Sequence, residues 1–149
     1  MTKNKEGFTL FEVLIASILT TIVFAIAGMV IVRLTKASNE LSKNQEINSE
    51  ATIIDSSIKI MVNNVNSDKS ISITYDEENN KIYDSDIIYL LVDNDNKELI
   101  IGDNTIVYDR LDRVDVTVSK RLISVLLTFD NGKKKNYSYL FVREIKRWK

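Results

Sequence analysis

One charged side chain lies inside the most apolar stretch of the chain. Glu12 is the only ionisable residue between Phe8 and Arg33, and a polar leader with two lysines, residues 1–7, precedes that stretch. A carboxylate within an apolar membrane segment costs about 2.5–3.5 kcal/mol on insertion scales and usually marks a function. The alternative without a function is a side chain that reaches water at the membrane surface.

The composition removes most other chemistry. The 149 residues include no His and no Cys, so the commonest general base, the commonest metal ligand and every disulfide or thiolate site are missing. No Ser–Lys pair or pair of neighbouring carboxylates stands out. We therefore predict that the chain is not an enzyme and that it needs no cofactor. The formal net charge of −1 names no partner.

Two groups of acidic residues are candidates for a metal site or an acid–base pair. The stretch Asp93–Glu98 begins like a calcium loop, but Lys97 and Glu98 occupy the positions where such a loop needs an oxygen ligand and a glycine. We predict a solvated turn there and no metal site. Asp112 and Asp115 are an odd number of residues apart in a predicted strand, so they face opposite sides and make a poor acid–base pair.

The apolar run from Phe8 to Val32 is long enough to cross a membrane. Its 25 residues form a helix that spans a hydrocarbon core of about 30 Å at a rise of about 1.5 Å per residue. Lys3 and Lys5 precede the run, which predicts a cytoplasmic leader and an external remainder by the positive-inside rule.

Three interpretations compete for this run. A secretory signal peptide has a cleavage site such as Ala25-Ile26-Ala27, but the apolar run continues beyond it to Val32. A plain single-span anchor places no requirement on Gly7, Phe8 or Glu12. The third interpretation uses all three of those residues.

The sequence from Gly7 to Ala16, Gly-Phe-Thr-Leu-Phe-Glu-Val-Leu-Ile-Ala, resembles the processing site of type IV prepilins and pseudopilins. The resemblance implies that a prepilin peptidase/methyltransferase cleaves after Gly7 and N-methylates Phe8. A residue without a side chain suits the cleft of such a peptidase. The resemblance also implies that Glu12 meets the N-terminal amine of a neighbouring subunit, and breaking a buried pair of that kind costs about 3–5 kcal/mol.

Partners and location follow from the same resemblance. It implies contacts with other pilin subunits through the N-terminal helix, with an inner-membrane assembly platform, and with membrane lipid before assembly. The chain would be single-pass, with its leader inside and its head outside, and would then enter an extracellular or envelope filament. A type IV pilus, a competence system and a type II secretion-like system all fit. The lack of Cys favours a minor pilin or pseudopilin.

The helical pattern continues beyond Arg33, and it predicts one helix from about Phe8 to about Asn66. Its apolar face should pack on a head most strongly from Ile47 onward, whereas the weak face before Ile47 argues against a coiled coil. The predicted face consists of Leu34, Ala37, Leu41, Asn44, Ile47, Ala51, Ile54, Ile58, Met61 and Val65.

From Ser70 the apolar period changes to two, which predicts short strands joined by turns of Asn, Asp and Gly. The predicted fold class is α+β, a long N-terminal helix with a transmembrane first half, packed on a small antiparallel sheet. The predicted strands hold Ile71 and Ile73, 86–93, 99–101, 106–108, 114–118, 123–129 and 137–142. The predicted segments are a leader, 1–7, an assembly helix, 8–33, its amphipathic continuation, 34–66, and a β head, 67–149.

The charge of the head changes sign along the chain. Residues 68–115 are acidic, whereas residues 120–149 are basic. An alternative function is therefore an anchored module whose basic end captures DNA or a cell-surface polymer, with aromatic side chains stacking on bases. The candidate residues are Lys133, Lys134, Lys135, Lys146, Arg147 and Trp148. Attraction between subunits, or plain solvation, explains the same charges without a ligand.

Overall fold

The computed structural model describes residues 9–148, so Gly7 and Phe8 lie outside the described residues. A single helix, α1, is followed by nine strands, which confirms the α+β class. The helix is α1 (Leu10–Ser67), and the strands are β1 (Thr74–Asp76), β2 (Lys81–Asp84), β3 (Ile87–Asp93), β4 (Glu98–Ile101), β5 (Asn104–Val107), β6 (Leu111–Ser119), β7 (Leu122–Phe129), β8 (Lys134–Leu140) and β9 (Lys146–Trp148).

The chain divides into two units between Lys43 and Asn44. In the first unit, the described side chains of α1 are exposed, including Leu34 and Leu41 of the predicted face. In the second unit, the first buried residue of the helix is Ile47, as the sequence predicts. The buried helical residues are Ile47, Ala51, Ile54, Ile58, Met61, Val62 and Val65.

The strands form two sheets. One has six strands in the order β5-β4-β3-β2-β1-β9, and the other has three in the order β6-β7-β8. The prediction of a purely antiparallel head is wrong at one place, because β9 pairs with β1 in parallel. The predictions also missed β2 and β9, and the strand predicted around Ile71 and Ile73 begins only at Thr74.

Two hairpins, β1–β2 and β3–β4, use the same turn. Asp76 and Asp93 each accept hydrogen bonds through Oδ1 from the backbone N–H groups two and three residues later. Their Oδ2 atoms accept bonds of 2.8 Å from Asn79 and Asn96. Hydrogen bonds from Asn79 lower the pKa of Asp76, and those from Asn96 lower the pKa of Asp93. The stretch Asp93–Glu98, which begins like a calcium loop, therefore forms the turn that the sequence predicts.

Side chains of the six-stranded sheet cover the open edge of β6. The amide of Asn94 accepts from the N–H of Val114 at 2.9 Å and donates to its C=O at 3.0 Å. The hydroxyl of Tyr75 donates to Val116 O, and Arg147 donates to Val118 O. Because an open edge otherwise leaves unpaired backbone groups, these bonds hold the two sheets together.

A distant residue binds the end of α1 and the segment that follows it. Arg143 donates hydrogen bonds to the carbonyl oxygen of Val65 in the last turn and to those of Asp68, Lys69 and Ile71 beyond it. The last turn of the helix contains no basic residue of its own. Arg143 therefore supplies a cation near the negative end of the helix macrodipole and a donor to one of its last carbonyl groups.

We expect Asn94→Ala to lower the free energy of unfolding by about 1–3 kcal/mol, because it leaves the N–H and C=O of Val114 without their partner. Urea unfolding of the full chain in detergent, followed by circular dichroism, measures this. Asn96→Ala is the control, because it removes one exposed bond within a turn and should cost about 1 kcal/mol or less. Equal losses in the two variants would contradict the role assigned to Asn94.

Candidate assembly and processing site

The first turn of α1 is closed by a reciprocal pair of hydrogen bonds between Thr9 and Glu12. The backbone N–H and the hydroxyl of Thr9 both donate to Glu12 Oε2, at 2.8 and 3.0 Å. The backbone N–H of Glu12 donates to Thr9 Oγ1 at 3.3 Å. This is a capping box, in which two residues three apart satisfy two backbone donors that a helix start leaves unpaired.

The capping box gives Glu12 a role that the sequence analysis missed. Its signal is the pattern Thr-x-x-Glu directly before an apolar run, which is readable in the sequence at Thr9 and Glu12. Both hydrogen bonds described for the carboxylate use Oε2. A helix-capping carboxylate also meets the positive end of the helix macrodipole. Glu12 is therefore held at the start of the described helix, four residues after Phe8 in the sequence.

The helix that follows is apolar and exposed. The large hydrophobic side chains from Leu10 to Leu34 are between 40% and 88% exposed. Among the described residues, α1 is the one helix long and apolar enough to cross a membrane. An apolar patch of this extent needs lipid or another protein around it. The sequence prediction of a membrane-anchoring helix is consistent with this arrangement.

Three hydroxyl residues lie within the apolar surface of the helix, and each of their hydroxyl groups has a hydrogen-bond partner. Ser17, Thr20 and Thr21 donate to backbone carbonyl oxygens three or four residues earlier, at 2.7–2.9 Å. A hydroxyl that bonds within its own helix carries little cost in lipid, where every polar group must find an internal partner. Glu12 is thus the one charged residue of this stretch in the described part of the chain.

The candidate basic residues do not form one site. Lys133 and Lys135 donate to the side chains of Asn44 and Asn48 on α1, at 2.5 and 2.7 Å. Lys134, between them, is exposed. These contacts hold the start of β8 against the helix and take up two of the three lysines.

The other three candidates lie on β9, away from the lysine turn. The guanidinium of Arg147 is bonded to Val118 O, whereas Lys146 and Trp148 are exposed. β9 comes shortly after Arg143, which donates to the carbonyl of Val65 on the helix. The lysines contact the helix at Asn44 and Asn48. The helix positions Asn48 and Val65 are about 25 Å apart at a rise of about 1.5 Å per residue. The structure therefore offers two separate basic groups.

A third polar contact fixes β8 on the helix. Tyr139 donates to Asp55 Oδ1 at 2.8 Å, and Lys59 bonds to Asp55 Oδ2 at 2.7 Å. Burial by itself raises the pKa of Asp55, but the hydrogen bonds from Lys59 and Tyr139 outweigh it and lower the pKa. Burial, and then the hydrogen bond to Asp55, raise the pKa of the Tyr139 hydroxyl.

Residues 2–28 match the family model described as the prokaryotic N-terminal methylation motif, which is the type IV prepilin-like signature. The chain therefore carries a prepilin-type processing motif at its N-terminus, and the motif implies processing by a prepilin peptidase and pilin-type assembly. The match covers the leader and the first part of the apolar run, and it does not reach the head. Searches of curated proteins and of solved structures gave no match.

Asp55 gives the head a defined response to acid. Folding lowers the pKa of Asp55 below its ordinary value of 3.8. Its contribution to the free energy of unfolding is therefore fully present above the unfolded pKa, and it is lost as the pH falls through the folded pKa. We expect Asp55→Asn to cost about 1.5–3 kcal/mol at pH 7 and to lose less further stability on acidification. Urea unfolding at pH 7 and below pH 4 measures both effects.

The matched control for this prediction is Asp95→Asn. The side chain of Asp95 is exposed, so its unfolding curve should follow the wild type at both pH values. If Asp55→Asn lost as much stability between pH 7 and below pH 4 as the wild type does, Asp55 would not be the source of this response to acid.

Proposed function

We propose that this chain is a minor pilin or pseudopilin, cleaved between Gly7 and Phe8 and assembled into a filament through α1. The observation that carries the proposal is the Thr9–Glu12 capping box at the start of an exposed apolar helix, within a matched prepilin motif. Its work is structural rather than catalytic, since the chain holds no His and no Cys.

The capping box supports cleavage at Gly7. It sets the start of the described helix at Leu10, two residues after Phe8 in the sequence. A peptidase needs an extended backbone, and a bond within an α-helix is closed by intrahelical hydrogen bonds. The Gly7–Phe8 bond, which lies outside the described residues, is placed by sequence just before this boundary.

The capping box also supports the role of Glu12 in assembly. Cleavage creates a positive amine on Phe8, next to the positive end of the helix macrodipole, where a cation is unfavourable. A carboxylate offsets both charges. In the filament we assign this task to Glu12 of a neighbouring subunit, because a pair between subunits sets their register when it closes.

The location and the machine belong to the same proposal. The leader lies on the cytoplasmic side, the head lies outside, and the assembled chain stands in a surface or envelope-spanning filament. Motility, DNA uptake and secretion are all served by such filaments. The lack of Cys rules out a disulfide-bounded loop in the head and favours a minor subunit or pseudopilin.

The test of the class is the intact mass and N-terminal sequence of the protein from its native membrane. The proposal expects a chain that begins with N-methylated Phe8. A chain that begins at Gly28 would indicate a secreted protein, and one that begins at Met1 would indicate a plain anchor. Either result would overturn the proposal.

We expect Gly7→Val to leave an uncleaved precursor in the membrane, because a branched side chain at this position obstructs the cleft of the peptidase. Gly28→Val is the matched control. A Cβ atom added at Gly28 would meet no atom within 4 Å, so this variant should be cleaved normally. Mass spectrometry of both membrane proteins checks the expectation, and normal cleavage of Gly7→Val would contradict it.

We expect Glu12→Ala to be cleaved but to assemble poorly. Loss of a buried pair of about 3–5 kcal/mol weakens docking by about two to four orders of magnitude. The measurement is the fraction of the protein recovered in sheared filaments.

Thr9→Val separates capping from pairing between subunits. It removes the capping hydroxyl, at a cost of about 1 kcal/mol, and keeps the carboxylate of Glu12. Its filament yield should lie well above that of Glu12→Ala. Equal yields would indicate that the cap alone explains the effect of Glu12.

A further inference from the structure

A groove of about 310 Å³ opens on the second unit, between the C-terminal part of α1, the start of β3 and the β4–β5 turn. Buried Met61 and Ile101 contribute to its lining, and Ile60 and Ile87 line it although they are 61% and 60% exposed. The groove is therefore apolar and open, and its own head leaves it partly uncovered.

The groove contains a carboxylate. Asp103 lines it from the β4–β5 turn, and Asp86 directly precedes the lining residue Ile87 in the sequence. The occupant that fits this groove is an apolar side chain accompanied by a positive charge.

The opposite end of the same sheet presents such a side chain. On β9, Lys146 and Trp148 are two residues apart and therefore project from the same face, and the indole of Trp148 is 64% exposed. Lys146 and Arg147 directly precede Trp148 on this strand. Aromatic residues that are exposed and flanked by cations are frequent anchors of protein interfaces.

Trp148 does not fill the groove of its own chain. Its side chain is 64% exposed, and it is not among the residues that line the groove. A second copy of the chain can bring the two surfaces together.

We propose that the heads associate head-to-tail, with Trp148 of one copy seated in the groove of the next against Ile60 and Ile87. Lys146 then lies beside Asp103. Ser57 and Asn64 also line the groove, and they offer acceptors for the indole N–H, which needs a partner when it is buried. The two surfaces are different, so the contact is heterologous and open-ended.

This contact goes beyond the proposed function. The contact requires neither cleavage at Gly7 nor pairing of Glu12. A negative result for the contact therefore leaves the proposed function standing, and a negative result for the proposed function leaves the contact standing.

The first test uses Trp148 as the sole tryptophan of the chain. The full chain is reconstituted in lipid vesicles, and its emission is followed as the protein-to-lipid ratio rises. The proposal expects a shift to shorter wavelength and protection from iodide. Emission that stays at the wavelength of an exposed indole at every ratio would overturn the proposal.

Variants of the groove locate the contact. Ile60→Ser should weaken association by about 30-fold, the effect of truncating an interface anchor. Ile53→Ser is the matched control, since Ile53 is 51% exposed on the same helix but does not line the groove. Equal effects of the two variants would place the contact elsewhere and contradict the proposal.

A charge exchange tests the pairing of Lys146 with Asp103. Asp103→Lys and Lys146→Asp should each reduce the emission shift, and the double variant should restore it. No restoration would overturn the pairing.

Cysteine crosslinking tests the symmetry of the contact, because the natural chain has no Cys. Asn104→Cys and Lys146→Cys should each fail to crosslink alone, form dimers when mixed, and form a ladder when combined in one chain. The control is Asn136→Cys, on β8, mixed with Lys146→Cys, which should not crosslink. Dimers from a single variant would indicate a symmetric contact, and no crosslinks would leave the groove to a small ligand; both outcomes contradict the proposal.

Discussion

The two ends of α1 impose the same physical demand on the chain, and the rest of the structure depends on how each is met. A helix leaves four N–H groups open at its start and four C=O groups open at its end. Thr9 and Glu12 close the start by hydrogen bonds between residues three apart. At the end, Arg143 donates to the carbonyl of Val65, which lies 78 residues earlier in the chain. The start of the helix therefore uses only its own residues, whereas its end also uses a residue of the head.

This difference explains which parts of the fold could be read from the sequence. The helix, its burial from Ile47 and most strands follow from apolar spacing, which is a local signal. The parallel pairing of β9 with β1 joins residues more than seventy positions apart, and no local pattern encodes it. The prediction of a strand at Ile71 is wrong for a related reason. The carbonyl of Ile71 accepts a hydrogen bond from Arg143, and regular strand pairing begins only at Thr74.

The candidate site divides in the same way. Gly7, Phe8 and Glu12 are close in sequence, so the processing motif could be recognised without a structure. The Thr9–Glu12 cap is equally local, since Thr-x-x-Glu before an apolar run marks a helix start, but the sequence analysis did not predict it. The lysines of the basic end could not be sorted from sequence alone. Lys133 and Lys135 are tied to Asn44 and Asn48, partners nearly ninety residues away.

The net charge of −1 conceals an uneven distribution of charge along the chain. Lys146 lies on the same strand as the exposed Trp148, and Asp103 lines the groove. These two charges are opposite in sign, so electrostatics favours the approach of the two surfaces. The apolar groove and Trp148 then act at short range. Charge selects the orientation of the partner, and apolar burial sets how long it stays.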